Sequence, residues 1–276
     1  MSDLNLSKKS IASHIGISRS SLYYKNKLPD RDKLALKQIK KAMLKHPSYG
    51  HRRIAIELEI NKKRVKRIMN KYNLSPKLKR RKPRMNRSLR IQGNKYSNIA
   101  STICPIAPNV IWSSDFTYIR YKGIFIYLAT VIDIFSKVIV GHNISIRHDT
   151  ELVKRALINA CKKEIDIPEI FHTDQGSEYE SSEMIGLLED LEIRISRSDK
   201  SSPWQNGYQE AFFSNFKLDL GDVNRFKSVK ELIKGIKETI NYYNNERIHL
   251  NFKMSPRRFL SKYLMDYYYL TARSVS

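Results

Sequence analysis

Three acidic residues stand out because of where they fall relative to the predicted strands and helices. Asp115 lies inside a predicted strand, on the face opposite the aromatic residues, where an acid is disfavoured unless something offsets its burial. Asp174 directly follows a short strand predicted at residues 169–173, and α/β sheets usually place their sites at the carboxyl ends of strands. Glu210 lies inside a predicted helix. Each acid taken alone is explained equally well as a solvated or salt-bridged surface group.

Taken together, the three carboxylates suit the chemistry of phosphoryl transfer. That reaction uses hard oxygen ligands for two Mg²⁺ ions, one activating the attacking oxygen and one stabilising the leaving oxygen. One carboxylate shared between the ions and one more for each ion would satisfy this requirement. The set of Asp115, Asp174 and Glu210 therefore indicates metal-dependent chemistry on a phosphate ester.

The elements that must position these acids follow the pattern of a mixed sheet. Strand periodicity and buried apolar runs predict strands at residues 110–118, 124–133, 136–144, 169–173 and 193–196. Helical spacing predicts helices at residues 150–161, 183–191, 204 or 205 to 220, and around 229–243. Three hairpin-like strands followed by alternating helices and strands indicate an α/β fold, a mixed five-stranded sheet with helices on both faces.

The amino-acid composition indicates a polyanionic partner. The 276 residues include 51 Lys and Arg against 27 Asp and Glu, a formal net charge of +24 that an enzyme of small molecules has no reason to carry. No acid occurs between Glu59 and Asp115, which favours phosphate contact over a solvated surface for the basic residues there. Since no apolar run has transmembrane length, no signal peptide is apparent and Cys104 and Cys161 lie far apart, the cytoplasm is the expected location.

Residues 1–29 have the layout of a helix-turn-helix. A first helix ends at Gly16, and Ser18 is the predicted N-cap of a second helix. Arg19 and Ser20 begin this predicted recognition helix and are candidates for DNA contact. Four apolar residues form the predicted small core: Ile11, Ile15, Ile17 and Leu22. A plain helical hairpin explains the same spacing.

Residues 30–74 form a second predicted helical DNA-binding unit, and residues 75–104 a basic linker. The last helix of the unit, at residues 62–72, buries Val65, Ile68 and Met69. Four basic residues are predicted to point outward from it towards DNA: Lys63, Arg64, Lys66 and Arg67. In the linker, the strongest cluster for phosphate contact is Lys79, Arg80, Arg81 and Lys82.

From about Tyr49 to Phe259 the chain strongly resembles the bacterial insertion-sequence transposases of OrfB type, whose catalytic core is of the retroviral-integrase (DDE) kind. The interval between Asp174 and Glu210 holds 35 residues, the spacing typical of that superfamily's second and third acids. The matching motifs are residues 112–118, 127–137, 172–179, 202–207, 212–213, 243–244 and 255–256, with Glu210, Arg247 and His249.

The resemblance implies a ribonuclease-H-like catalytic core at residues 105–225, followed by a C-terminal helical extension at residues 226–276. It makes Asp115, Asp174 and Glu210 the catalytic residues and the ligands of two Mg²⁺ ions, which Mn²⁺ is expected to replace. It also implies hydrolysis of a DNA strand and its transfer to a target, without a covalent enzyme–DNA intermediate.

Further residues of the core also have expected roles. Lys217, seven residues after Glu210 on the same helix face, is expected to touch the DNA end. Asp133, which lies in a matching motif, is expected to be structural, with a direct role in the reaction as the alternative. His172 either orients Asp174 or packs in the core. Three aromatic residues of the same helix are expected to be core packing: Phe212, Phe213 and Phe216.

The implied partners are double-stranded DNA, namely the element's terminal inverted repeats and a target, and further copies of the chain. A fusion with an upstream reading frame is a further implied partner, and association with the nucleoid follows from DNA binding. Two other functions fit part of the sequence: a nuclease or decayed element copy, and a DNA-binding regulator without metal chemistry. The presence of all three acids argues against both.

Overall fold

The structure is a computed structural model that describes residues 7–23, 28–76, 96–164, 166–199 and 206–274. The strands are β1 (Ile111–Tyr121), β2 (Ile124–Asp133), β3 (Ile139–Ser145), β4 (Ile170–Thr173) and β5 (Arg194–Arg197). The helices are α1 (Lys8–Ile15), α2 (Leu28–Lys45), α3 (His51–Glu57), α4 (Lys62–Lys71), α5 (Thr150–Cys161), α6 (Ser182–Asp190), α7 (Gly207–Leu220), α8 (Val229–Asn245) and α9 (Pro256–Ser274). Among the described residues, no helix combines the length and apolar character needed to cross a bilayer.

The five strands form one mixed sheet in the order β3-β2-β1-β4-β5. β1, β2 and β3 pair antiparallel, whereas β4 pairs parallel to β1 and to β5. Lys122 and Gly123, which both have positive φ, form the turn between β1 and β2. This topology brings the middle of β1 and the carboxyl end of β4 side by side, so the predicted mixed sheet is confirmed.

Helices cover both faces of the sheet, and the side-chain alternation of β1 separates the two cores. Trp112 belongs to the core formed with α5 and α6. Ile119 and Tyr121 belong to the core formed with α7 and α8, which also contains the three phenylalanines of α7 predicted to be buried. Asp115, being an odd-numbered residue of β1, lies on the α7 face, opposite the aromatic residues as predicted.

The helices α2, α3 and α4 form a compact unit with its own apolar core. Val65, Ile68 and Met69 are buried in it, as predicted from their spacing. The same core contains Ile248, which follows α8. The helical unit therefore packs against the C-terminal end of α8.

The first segment, residues 7–23, departs from the predicted helix-turn-helix. α1 ends at Gly16 with left-handed φ, as predicted, but residues 19–23 form a five-residue 3₁₀ helix in place of a recognition helix. The predicted core does not form, because Ile15 and Ile17 are 62% and 41% exposed. The Ser18 hydroxyl bonds with the side chains of Ser20 and Ser21, and hydroxyl groups that bond locally compete with regular helix.

Candidate active site

Asp115 lies in the middle of β1, paired across from Thr130 of β2. Its Oδ1 accepts a 2.7 Å hydrogen bond from the backbone N–H of Phe116. Burial, followed by the negative charges of Asp174 and Glu210, raises the pKa of Asp115 from 3.8 to about 7. The structure therefore brings all three predicted acids into one electrostatic neighbourhood.

Asp174 lies directly after the C-terminal end of β4, where the sequence predicts it. Its Oδ1 accepts a 3.1 Å hydrogen bond from the backbone N–H of Gly176, and burial raises its pKa. A Cβ at Gly176 would lie 3.2 Å from Asp174 Oδ1 and also 3.2 Å from Glu178 Oε2. Because glycine has no Cβ, these two carboxylates can lie close to the backbone at this position.

Glu210 is exposed on α7, and the helix is fixed to the sheet by its buried neighbour Gln209. The Gln209 amide donates to the carbonyl oxygens of Ser113 (2.6 Å) and Thr130 (3.2 Å) and accepts from the Thr130 hydroxyl (2.9 Å). At the start of the helix, Asn206 accepts a 2.6 Å bond from the Ser113 hydroxyl. These buried bonds, here called the α7 tether, hold the first turn of α7 against β1 and β2.

The donor set fits divalent cations by its chemistry. Asp115, Asp174 and Glu210 supply only oxygen ligands, and a bound cation would offset the mutual repulsion and burial that raise the pKa of Asp115. In the described residues, however, no three side chains of His, Cys, Asp or Glu are already close enough to hold a metal ion. The three carboxylates share a neighbourhood without forming a closed coordination shell.

A second layer of contacts supports the loop that carries Asp174. Tyr179 is fully buried, and its hydroxyl lies 3.0 Å from Ser114 Oγ on β1. Buried Arg197, at the end of β5, donates to Glu180 (2.7 Å) and to the Tyr179 carbonyl (2.8 Å), and its charge opposes the rise in the pKa of Asp174.

The loop also connects to the segment between β3 and α5. Glu178 accepts a 2.9 Å bond from His148, whose ring stacks on Phe116 at a centroid distance of 6.2 Å. Sequence reasoning missed His148 and Arg197 because no local pattern marks a side chain that bonds to a distant loop. Gln209 had a signal, since it shares the helical period of Phe213, Phe216 and Leu220.

Asp133 is structural, as the sequence analysis expects. Its carboxylate accepts from the Ser136 N–H and hydroxyl and from the Asn109 N–H, which closes the β2–β3 turn. This turn explains why β3 begins at Ile139 and not at the predicted Ser136. His172 is buried, with Nδ1 3.0 Å from Ser196 Oγ on β5, so this contact joins neighbouring strands.

Lys217 lies two helical turns after Glu210, as predicted, and its side chain is exposed. Its ammonium is 5.3 Å from the centre of the Tyr118 ring on β1. The surrounding protein partly removes the ammonium from water, and this desolvation lowers the pKa of Lys217. Lys217 therefore lies beside β1, the central strand of the sheet, which also carries Asp115.

The basic residues predicted to bind DNA are divided by the structure. Arg64 and Arg67 do not simply point outward: both bond to Asp32 of α2, at 3.1 Å and 2.8 Å. Asp32 is 7% exposed, and a buried carboxylate needs such partners because its uncompensated charge is costly. Lys63 and Lys66 are exposed on α4.

The remaining predicted DNA contacts lie in two other places. Arg19 and Ser20 are exposed on the 3₁₀ helix of the first segment. The linker cluster lies outside the described residues: Lys79, Arg80, Arg81 and Lys82.

Comparison with known proteins matches this region to a family. Two profiles, both described as integrase core domain, match residues 105–203 and 191–256. The transposase for insertion sequence element IS904 of Lactococcus lactis subsp. lactis (strain IL1403) is 36% identical over 203 residues, which cover 72% of this chain and 80% of that protein. The putative transposase InsK for insertion sequence element IS150 of Escherichia coli (strain K12) is 30% identical over 249 residues, covering 86% and 87%.

A solved structure resembles the fold. The cryoEM structure of the simian T-cell lymphotropic virus intasome, in complex with PP2A regulatory subunit B56 gamma, contains a chain that aligns with a TM-score of 0.51 at 17% identity. The alignment covers 81% of this chain and 74% of that one. The five-stranded sheet and its flanking helices are accordingly ribonuclease-H-like, as predicted.

Proposed function

The chain belongs to the insertion-sequence transposases with an integrase core, and on that premise we propose that Asp115, Asp174 and Glu210 carry its catalytic step. Its function is the DNA transposition of an insertion element, and its chemistry is polynucleotidyl transfer. The observation that carries the proposal is the rise in the pKa of Asp115 caused by burial and by the charges of the other two acids. A buried carboxylate that two neighbouring carboxylates repel suits cation binding.

In this proposal the three carboxylates hold two Mg²⁺ ions, which Mn²⁺ replaces. The ions, when bound, supply Lewis-acid activation of the attacking oxygen and stabilisation of the leaving oxygen. The chain's own part is positioning: the α7 tether holds Glu210 beside the sheet, and the Gly176 N–H orients the carboxylate of Asp174. Such fixed positioning is a large part of catalysis in phosphoryl transfer.

The proposed substrate is double-stranded DNA, both the element's terminal repeats and the target. Lys217 is proposed to touch the DNA end, and the other proposed contacts are Arg19, Ser20, Lys63, Lys66 and the linker cluster. Arg64 and Arg67 contribute less, since Asp32 already neutralises part of their charge. Joining two element ends requires more than one chain, so a homo-multimer on DNA is proposed, with an upstream-frame fusion product as a further partner.

The proposal is tested by cleavage of a duplex that carries the element's end. Asp115→Asn, Asp174→Asn and Glu210→Gln should each abolish cleavage in Mg²⁺, because each removes a ligand charge. DNA binding in EDTA should persist, because the basic surfaces are unchanged.

The matched controls are Glu189→Gln and Asp190→Asn, which remove exposed acids at the end of α6. Both controls should cleave at the wild-type rate. An acid variant that stays within about tenfold of wild type, roughly 1.4 kcal/mol of barrier, is not a catalytic ligand. If all three stay within that range, the proposed site is wrong.

A further inference from the structure

The α2–α4 unit is fixed to the catalytic core by buried polar bonds. The Tyr49 hydroxyl accepts a 2.7 Å bond from the Ile248 N–H, and Arg53 Nε donates a 2.9 Å bond to the Ile248 carbonyl. His46 Nδ1 lies 2.6 Å from the hydroxyl of Tyr242 on α8. Because these contacts add to a shared apolar core, a surface on α3 or α4 has a defined position relative to the three acids.

One face of this unit carries uncompensated positive charge, and we call it the α3–α4 patch: His51, Arg52, Lys62 and Lys66. Lys62 and Lys66 lie one helical turn apart on α4, and His51 and Arg52 begin α3 and line one cleft. Burial, and then the charges of Lys66, Arg52 and Lys62, lower the pKa of His51. In the described part of the chain, none of the three permanent cations pairs with an acid, unlike Arg64 and Arg67 on the same unit. Like charges held together without counter-charge favour a polyanionic ligand.

A cleft connects the α3–α4 patch to the helix that bears Glu210. Its lining includes His51 and Arg52 from the patch and Leu218 from α7. Leu218 is adjacent to Lys217, and it lies about 12 Å from Glu210 along the helix axis, at 1.5 Å per residue. The cleft therefore places the start of α3 beside the C-terminal half of the helix that carries Glu210 and Lys217.

We propose that the duplex whose end enters the carboxylate site runs along α7 and that its phosphates bind the α3–α4 patch of the same chain. The inference rests on the proposed function and adds a path for the DNA. The patch would fix the position of the duplex without reading its sequence, as phosphate contacts do. Since one turn of B-DNA is about 34 Å, the contacted phosphates fall within roughly the first turn from the end.

The first test measures binding of the full chain to an end-containing duplex in EDTA, where catalysis plays no part. The double variant Arg52→Ala/Lys66→Ala should reduce the slope of log K against log salt by about two, since each phosphate contact contributes about 0.9. The matched control Lys230→Ala/Lys234→Ala removes two exposed cations from α8 and should keep the wild-type slope. An unchanged slope in the patch variant overturns the inference.

The second test locates the contact along the DNA. In a background in which exposed Cys104 is replaced by Ser, Lys66→Cys is cross-linked to duplexes that carry one thiol-reactive phosphate at successive positions. The inference expects a cross-linking maximum within about ten base pairs of the end. Equal cross-linking at all positions, or a maximum far from the end, overturns it. If the variants of the three acids are inactive and show the normal cross-linking profile, both proposals are supported. If these variants remain active and show that profile, only the proposed catalytic role of the acids is wrong.

Discussion

The carboxylate site and the first segment, residues 7–23, both carry residues with a predicted function, catalysis in one and DNA contact in the other, but the structure holds them very differently. The α7 tether joins Gln209, Ser113 and Thr130, all at most 1% exposed. In the first segment, Arg19 and Ser20 lie on a five-residue 3₁₀ helix that buries no side chain. Buried polar bonds thus support one site, while the other depends on local contacts among serines.

The difference follows from what each kind of contact requires. Ligands of a metal ion must keep their geometry to within fractions of an ångström, so their supporting elements need buried, fully bonded neighbours. A cation that meets a phosphate needs mainly exposure and charge, and its contact tolerates a loosely held backbone. Substitutions of the buried residues that support the carboxylate site should therefore lower stability and cleavage. Substitutions in the first segment should have little effect on either.

The largest effect of this kind is expected for Gln209→Ala. The substitution removes three hydrogen bonds from a buried place, which should lower the free energy of unfolding by about 2–5 kcal/mol. Cleavage should also fall by about a hundredfold, because a displacement of Glu210 by about 1 Å has that cost. The measurements are denaturant unfolding and cleavage under conditions in which the variant is folded.

Thr130→Val is the graded control for Gln209→Ala. It removes only the hydroxyl that donates to Gln209 and keeps a similar side-chain shape. The loss of stability should be about 1–3 kcal/mol, and cleavage should fall less than in Gln209→Ala. If Gln209→Ala cleaves at the wild-type rate once folded, the α7 tether contributes to stability only.

A smaller effect on stability, with a size that depends on pH, is expected for Asp115→Asn in EDTA. Because the folded-state pKa of Asp115 is raised to about 7, the folded protein holds this proton more tightly than the unfolded chain does. Wild type therefore loses stability as pH rises from about 4 to about 7, and the full loss is present above pH 7. Asp115→Asn should be more stable than wild type at pH 8, on the order of 1–3 kcal/mol, and equal to it near pH 4.

Mg²⁺ sharpens the Asp115→Asn experiment. A cation that binds only the folded protein raises its stability by mass action, so Mg²⁺ should raise the melting temperature of wild type at pH 8. Asp115→Asn should respond less, because it lacks one ligand charge. Asp190→Asn gives the baseline for an exposed acid. If Mg²⁺ raises the melting temperatures of wild type and Asp115→Asn equally, Asp115 does not contribute to cation binding, although its pKa is raised.

Much of the catalytic core could be predicted from the sequence because its signals are local. α5 is predicted at residues 150–161 and forms at Thr150–Cys161. Its five buried residues recur at helical spacing: Leu152, Val153, Ala156, Leu157 and Ala160. The acids could be located for the same reason, since each is defined by its place in a strand or helix.

What could not be predicted depends on contacts between distant parts of the chain. The sequence predicts that Arg64 and Arg67 point outward, because their partner Asp32 lies on another helix and gives no local signal. The bond from Ile248 to the Tyr49 hydroxyl spans 199 residues, and no periodic pattern signals it. The prediction for the first segment is wrong for a related reason. Apolar spacing predicts a helix, but it does not show whether enough apolar area is present to build a core.

The smallest effect is expected where the first segment itself is changed. Ile15 is 62% exposed, so Ile15→Ala removes almost no buried area and should change the free energy of unfolding by at most about 0.5 kcal/mol. Ile54 on α3 is fully buried, and Ile54→Ala should cost about 2–5 kcal/mol through lost burial and the cavity left behind. Both substitutions remove the same atoms from a helix, so the pair isolates the effect of burial. Chemical unfolding of the two full-length variants gives the answer. A loss of more than about 1 kcal/mol for Ile15→Ala would mean that the first segment packs against the rest of the protein, and the contrast between the two regions would not hold.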